Sequence, residues 1–541
     1  MKPSRRSSLT ALLSICVLNV LLRFPRTEHE VGVDSFVWHG MATSLTREHL
    51  ALWIVNPLSY FGLYPLSQPS GSVFFLGGLT EVAGIPVEAS IIMADIGIAL
   101  VGALGGFLLA REFSRRDRFA LLLSFVMSTT PEFVGSLLWQ VPTRIAFTSL
   151  IPILLWAIIR LSRSAPIRNG GVVVLVLALM MSFHRLAILM ALVALASLAA
   201  LIVAVAMRAL RIQFPSLLLK PMIFRNTSWF ALVGILLLSA IMISSTNVLQ
   251  EYSTGVVATG DSFQVRLLNL FVSLARSGGM LLPFVFLGVV VLVRRRAKGF
   301  AESFVVLSLI AFLPTLFLRQ YTGFYTIPLT SLFIVVGLDK LLSKVKSHRG
   351  TFAMVAAVAA FALVSGQAIV SYDLSQDSSM TFSEYSLGLY SQTTGRGTWL
   401  FTDGLEGARV ASVHGRPYLP VGGATTAFQG PELLIFGYLD PTHLVIHPLR
   451  PGDLTIESDS PFVLEGVQAE ADWATMLMSP ADSIPTNLAH VYDARYLVTT
   501  AEHPYQYYAY GRLYPSELAV SAQATRYAAY TDGDVTLWLL G

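Results

Sequence analysis

Glu28, His29, Glu30, Asp34 and His39 fall within twelve residues, just after an apolar run that ends at Arg23. Carboxylates and imidazoles in such a cluster can take up and release protons. Ionisable groups beside a membrane are costly to keep, which marks them as functional candidates. Asp34 also has a plain structural use. It stands where a helix over 34–49 would start, and its carboxylate could cap a free backbone N–H. Further along, Glu132 follows Pro131, and Arg144 opens an apolar run. His184 and Arg185 interrupt an otherwise apolar stretch, and Arg319 lies in FLPTLFLRQYTGFYTIPL with Tyr321 and Tyr325. Each has an ordinary alternative: Glu132 as a solvated helix start or a partner for Arg144, His184 as a turn, Arg319 as an interfacial anchor. Asp95 sits inside an apolar segment and is read as a partner for a buried Arg or Ser, not as a catalyst. No Ser/His/Asp constellation, phosphate-cradling Gly-rich loop or zinc spacing is present, and the single Cys16 excludes disulfides.

The elements that must position these groups are membrane helices. The chain has 541 residues, is 54% hydrophobic and carries only 13% charged residues, with a mean hydropathy of +0.64. A soluble protein carries about 25% charged residues, so a soluble enzyme and a nucleic-acid binder are both excluded. A span needs about 20 mostly apolar residues. Eleven candidates lie near 8–23, 88–110, 119–137, 144–162, 171–183, 186–207, 228–246, 279–293, 303–318, 325–342 and 351–370. The first is read as an uncleaved helix rather than a signal peptide, because Arg23 closes it without a small-residue cleavage site. The short, Gly-rich segment 71–84 is read as re-entrant or lying on the membrane surface. Clusters of Lys and Arg fall in every second loop of this arrangement, which places the N-terminus in the cytoplasm. The segments 24–87, 129–143, 247–278, 319–324 and 372–541, and the turn at 184, then face outward.

Two parts differ in charge. Residues 372–541 hold 19 Asp and Glu, seven Arg and no Lys, a net −12, against +16 for residues 1–371. The division is a membrane body over 1–371, with a long first outer loop at 24–87, and an acidic outer domain over 372–541. Residues 371–383 read as the linker. Short apolar runs such as HLVIH and RYLVTT, and the alternating DVTLWLL, give the outer domain a mixed α/β character.

The order of these features resembles the GT-C superfamily of membrane glycosyltransferases. A first span is followed by a long outer loop with an early Asp, then a helix with His, a return rich in Tyr and Pro, many further spans and an outer domain. GVDSFVWHGMA is similar to the Asp-x-Tyr-Tyr-His-like start of the first loop in oligosaccharyltransferase catalytic subunits, with His39 five rather than four positions after Asp34. PLSYFGLYPLSQPSG is similar to the same loop in archaeal-type members. The resemblance covers roughly residues 8–345. It implies a polytopic GT-C-like body of about eleven helices with an extracytoplasmic α/β domain. It implies transfer of a sugar or glycan from a polyprenyl-phosphate or polyprenyl-diphosphate carrier to an extracytoplasmic protein, lipid or polysaccharide acceptor. Asp34 would be the general base or a ligand of divalent Mn²⁺ or Mg²⁺, with Glu132 as helper or second ligand. His39, Arg144, His184, Arg185, Arg319 and Tyr321 would bind substrate, and the cations among them the carrier phosphate. Tyr325 would flank sugar or prenyl chain.

The outer domain departs from the oligosaccharyltransferase pattern. TWLFTDG (398–404) lacks the Trp-Trp-Asp-Tyr-Gly spacing and reads as a strand ending in a turn. GARVASVHGRPYLPVGGATTAFQG (407–430) reads as a loop, facing the membrane cleft with Arg409, His414 and Arg416 or lying at an edge. HPYQYYAYGRLYP (503–515) serves packing or sugar stacking. Two competing readings remain: a non-catalytic transport or assembly protein, such as a flippase for lipid-linked glycans, and a GT-C-shaped protein that only binds them.

Overall fold

The computed structural model describes residues 5–49, 51, 57–61, 69–114, 116–163, 165–209, 273–274, 276–294, 299–318, 323–345, 347–376, 379–395, 397–415, 418–419, 445–448, 454–457, 472–484, 488–489, 492–509 and 512–540. Two compact units are present. One comprises Met1–Phe24, Asp95–Leu138 and Pro142–Ser375, and the other Pro25–Ala94, Trp139–Val141 and Gln376–Gly541.

The first unit is helical. Among the described residues, five helices are long and apolar enough to cross a membrane: Val87–Phe113, Thr143–Leu161, Pro166–Phe183, Gly323–Leu342 and Arg349–Ala368. At 1.5 Å per residue, about 20 residues match a hydrocarbon core of about 30 Å. The chain is a multi-pass membrane protein. Gly323–Leu342 is buried along most of its length. Glycines let its neighbour approach. A Cβ on Gly337 would meet the Phe284 carbonyl oxygen at 2.6 Å, and one on Gly288 would strike the Phe333 backbone. Small residues at such crossings are how helices pack where lipid is as apolar as the side chains.

Most expected spans coincide with helices, with differences at their ends. The span at 119–137 is two helices, Asp117–Thr129 and Pro131–Gly135, because Thr130 is extended (ψ 145°) ahead of Pro131. The span at 186–207 starts as a 3₁₀ turn, Arg185–Met190, and becomes α-helical only at Ala191. The span at 228–246 lies outside the described residues. Segment 71–84 is a helix, Gly71–Ala83, closed by Gly84 at φ 64°. The basic loops are partly neutralised. Glu112 binds Arg160 and Arg163, and Asp339 binds Arg116 and Arg118.

The second unit is α/β. Its main sheet has the order β2-β1-β5-β9-β8, with β1 Thr398–Phe401, β2 Tyr418–Leu419, β5 Ala494–Thr500, β8 Ala528–Asp532 and β9 Val535–Leu539. β1 runs parallel to β2 and β5, and β9 runs antiparallel to β5 and β8. Two hairpins, β3–β4 (Val445–Pro448, Leu454–Glu457) and β6–β7 (Gln506–Ala509, Arg512–Pro515), stand apart from it. RYLVTT and DVTLWLL thus form paired strands, as their apolar alternation requires. The expected linker is largely helix: one helix continues to Gln376, and the next, Phe382–Ser391, starts on a reciprocal cap between Thr381 and Glu384. The expected loop at 407–430 is corrected in its first part, and 416–417 and 420–430 lie outside the described residues. Gly404–His414 is a helix, capped by the Asp403 carboxylate on Leu405 N–H at 2.7 Å and closed by Gly415 at φ 66°. Arg409 and His414 are on that helix, and Arg416 is outside the described residues.

Candidate functional site

In the α/β unit the acid–base cluster surrounds the start of the helix Val33–Glu48. Gly32 precedes it at φ 97°, where a Cβ would meet Gln140 Oε1 at 3.2 Å. Glycine fits both demands. Gly32 therefore takes the cap position, and Asp34 is in the first turn instead of capping it. A carboxylate there is favoured by the helix dipole. Asp34 is exposed, whereas Glu30, Ser35 and His39 are buried.

The buried members are paired. His39 Nδ1 lies 2.7 Å from Glu30 Oε1, and His29 Nδ1 lies 3.0 Å from Glu88 Oε1. Facing a carboxylate, each Nδ1 carries the proton. Ser35 Oγ donates to Glu30 Oε2 at 3.4 Å and accepts from Val141 N–H at 2.7 Å. The His29 ring stacks on Tyr385 at 4.1 Å. Burial, then the charge of Glu88, pushes the Tyr385 hydroxyl above its ordinary pKa.

A second helix supports the first. Thr43 Oγ1 donates to Ser412 O at 2.8 Å, Arg47 Nη1 donates to His414 O at 2.5 Å, and the Arg409 guanidinium lies 5.8 Å from the Phe36 ring centroid. A Cβ on Gly415 would come within 3.0 Å of Ser44 N, so glycine is needed where the two segments meet.

In the helical unit, Glu132 is buried and ion-paired with Arg276. Arg144 is half-buried in the first turn of Thr143–Leu161. His184 ends the helix Pro166–Phe183, its N–H donating to Met180 O at 3.0 Å, and its ring lies 6.3 Å from Phe147. Arg185 opens the following 3₁₀ turn. Tyr325 is 2% exposed and wedged between Phe147 and Phe312. Asp95 is fully buried, and its charge acts on Arg23. Arg23 in turn donates to Asn19 Oδ1 at 2.7 Å and Ser128 O at 2.9 Å. Arg319 and Tyr321 lie outside the described residues.

Glu88 and Arg276 were not singled out in the sequence. Glu88 had one cue, an acidic residue in the first turn after Pro86. Arg276 had none, because its partner Glu132 is 144 residues away.

A divalent metal needs several oxygen ligands. Among the described residues no group of three or more His, Cys, Asp or Glu is arranged to hold one. The Glu132 carboxylate is engaged by the Arg276 guanidinium. Mn²⁺ or Mg²⁺ on Asp34 and Glu132 stays a proposal, and no step below runs through a metal.

No protein-family model matches the sequence, and no curated protein sequence is similar to it. Solved structures are similar. The apo oligosaccharyltransferase of Archaeoglobus fulgidus matches with TM-score 0.55 at 12% identity, over 93% of this chain and 70% of that one. The same enzyme tethered with an acceptor peptide containing the NVT sequon gives 0.53 at 12% identity, with the same coverage. ArnT from Cupriavidus metallidurans in the apo state gives 0.55 at 11% identity, over 98% of both chains. These neighbours are glycosyltransferases of the GT-C type, and the chain has their fold.

Proposed function

We propose that the chain is a GT-C glycosyltransferase working on the outer side of a membrane. The donor is a sugar or glycan on a polyprenyl-phosphate or polyprenyl-diphosphate carrier, and the acceptor is an extracytoplasmic protein, lipid or polysaccharide. The observation that carries the reading is an exposed Asp34 in the first turn of a helix whose neighbouring polar groups are buried and bonded. Asp34 takes the proton from the acceptor nucleophile as that atom attacks the anomeric carbon. The bond from that carbon to the carrier oxygen breaks, and the phosphate leaves with its electron pair. Arg144, His184, Arg185, Arg319 and Tyr321 bind the donor, the cations meeting the phosphate charge. His39 belongs to the same acceptor side, held through Glu30. The alternating basic loops support about eleven spans with a cytoplasmic N-terminus and an outer C-terminal domain.

The test supplies polyprenyl-phosphate and polyprenyl-diphosphate sugars, with and without Mn²⁺, to purified protein and to Asp34→Ala. Removing a general base costs about 10²–10⁴-fold in rate. Equal transfer by both proteins removes Asp34 from the mechanism. No transfer by the unaltered protein from any donor favours the non-catalytic readings.

A further inference from the structure

We propose that Glu30 is a positioning residue for Asp34, acting as a buried staple across the start of the helix Val33–Glu48. The inference rests on the proposed role of Asp34. Restraints converge on the residues around it. Glu30 O accepts from Met380 N–H at 3.2 Å, and Val31 N–H donates to Trp139 O at 3.1 Å. Val31 also bridges Ser379. Ser35 Oγ takes the Val141 N–H. The Glu30 carboxylate then ties three levels together: its own position ahead of Gly32, Ser35 in the first turn and His39 in the second.

Free energy makes this arrangement informative. Glu30 is 0% exposed and His39 4%. A buried carboxylate–imidazole pair is costly to desolvate, and an apolar substitute of similar volume is often as stable or more so. What the pair supplies instead is a fixed register. Gly32 is the point where the chain could turn freely, because glycine reaches positive φ at little cost. The staple spans that point from both sides. Asp34, between the stapled residues, inherits a fixed backbone while its own carboxylate stays exposed. A base held in a defined place is worth much more than a mobile one, and a misplacement of about 1 Å can cost about 100-fold.

The test uses the full-length protein in detergent or liposomes, with a polyprenyl-phosphate sugar that the unaltered protein turns over. Glu30→Ala should lower kcat about 10- to 100-fold with the donor KM changed less than about twofold. Glu30→Gln, which still accepts from His39, should recover most of that loss. In an Asp34→Ala background, Glu30→Ala should cost nothing further, since its effect passes through Asp34. If Glu30→Ala does not fold, Ser35→Ala releases the Val141 N–H and should lower kcat several-fold at unchanged KM. Full activity of Glu30→Ala or Ser35→Ala beside an inactive Asp34→Ala overturns the positioning role alone. An equal further loss in the Asp34→Ala background, or a loss entirely in KM, also overturns it. An active Asp34→Ala brings down both the general-base reading and the staple.

Discussion

Glu30, ahead of the helix Val33–Glu48, and Glu406, in the first turn of the helix Gly404–His414, are buried carboxylates in the same compact unit, on helices that pack together. Glu30 accepts from His39 and Ser35. Among the described residues, both Glu406 oxygens are buried without a hydrogen-bond partner. The cation nearest in sequence, Arg409, donates to Glu384 at 2.7 Å. Burial first, then the charges of Glu384 and Asp403, hold the Glu406 carboxyl well above the usual carboxylate range, and Arg409 opposes this only in part. One carboxylate is buried with hydrogen-bond partners and the other, among the described residues, without them. A buried carboxylate alone therefore says little about function, and its partners decide.

Three changes would break or sharpen that contrast. The largest effect belongs to Arg409→Ala. It strands Glu384, which is both the ion-pair partner and the carboxylate of the Thr381 cap. Losing one member of a buried pair costs about 3–5 kcal/mol, which thermal unfolding would register. A shift near zero would mean that the Glu384–Arg409 pair is not formed. Glu406→Gln should be much milder, within about 1 kcal/mol, because the amide replaces a carboxyl whose oxygens have no hydrogen-bond partner among the described residues. It also carries a signature in pH. The folded chain holds the Glu406 proton more tightly than the unfolded chain does. Its contribution is complete below the usual carboxylate pKa and is lost as pH rises from there toward the folded value. The difference in melting temperature between Glu406→Gln and the unaltered protein should therefore grow with pH over that window, in favour of the variant. A constant difference would mean that Glu406 is ionised throughout. The smallest effect is expected for Arg526→Ala, which removes a largely exposed pair with Asp482. Such pairs are worth about 0–1 kcal/mol. A larger loss would show that this corner of the sheet domain is more buried in charge terms than its exposure indicates.

The membrane body was legible because runs of about 20 apolar residues have few other uses. Where it was misread, a local rule had been outweighed. Pro131 splits an apolar run that hydropathy treats as one. The helix ending at Gln376 runs into a stretch whose Ser, Asp and Gln suggest a linker. The cue for the next helix was in plain sight, since Thr381-Phe-Ser-Glu384 has the spacing of a reciprocal cap. GARVASVH hid its helix because Gly, Ala and Ser give a weak apolar period, leaving only Asp403 and Gly415 as end signals. The acid–base cluster was visible as composition, but its pairing was not. His29 and Glu88 are 59 residues apart, and no local pattern reports a bond of that reach.

The α/β unit is assembled from distant stretches of chain, and this bears on how the protein is made. About 280 residues separate Ala94 from Gln376, which at about 5–20 residues per second of synthesis is roughly 15–55 s. Through that interval Phe36, Met41 and Val73 wait without Val410, Val413 and Leu387, which complete their cluster. Met380, whose N–H meets Glu30 O, does not yet exist. The newborn first loop is thus a sticky, half-finished surface for most of a translation cycle, and its shielding by the bilayer or by a chaperone is a demand that this order of segments places on the cell.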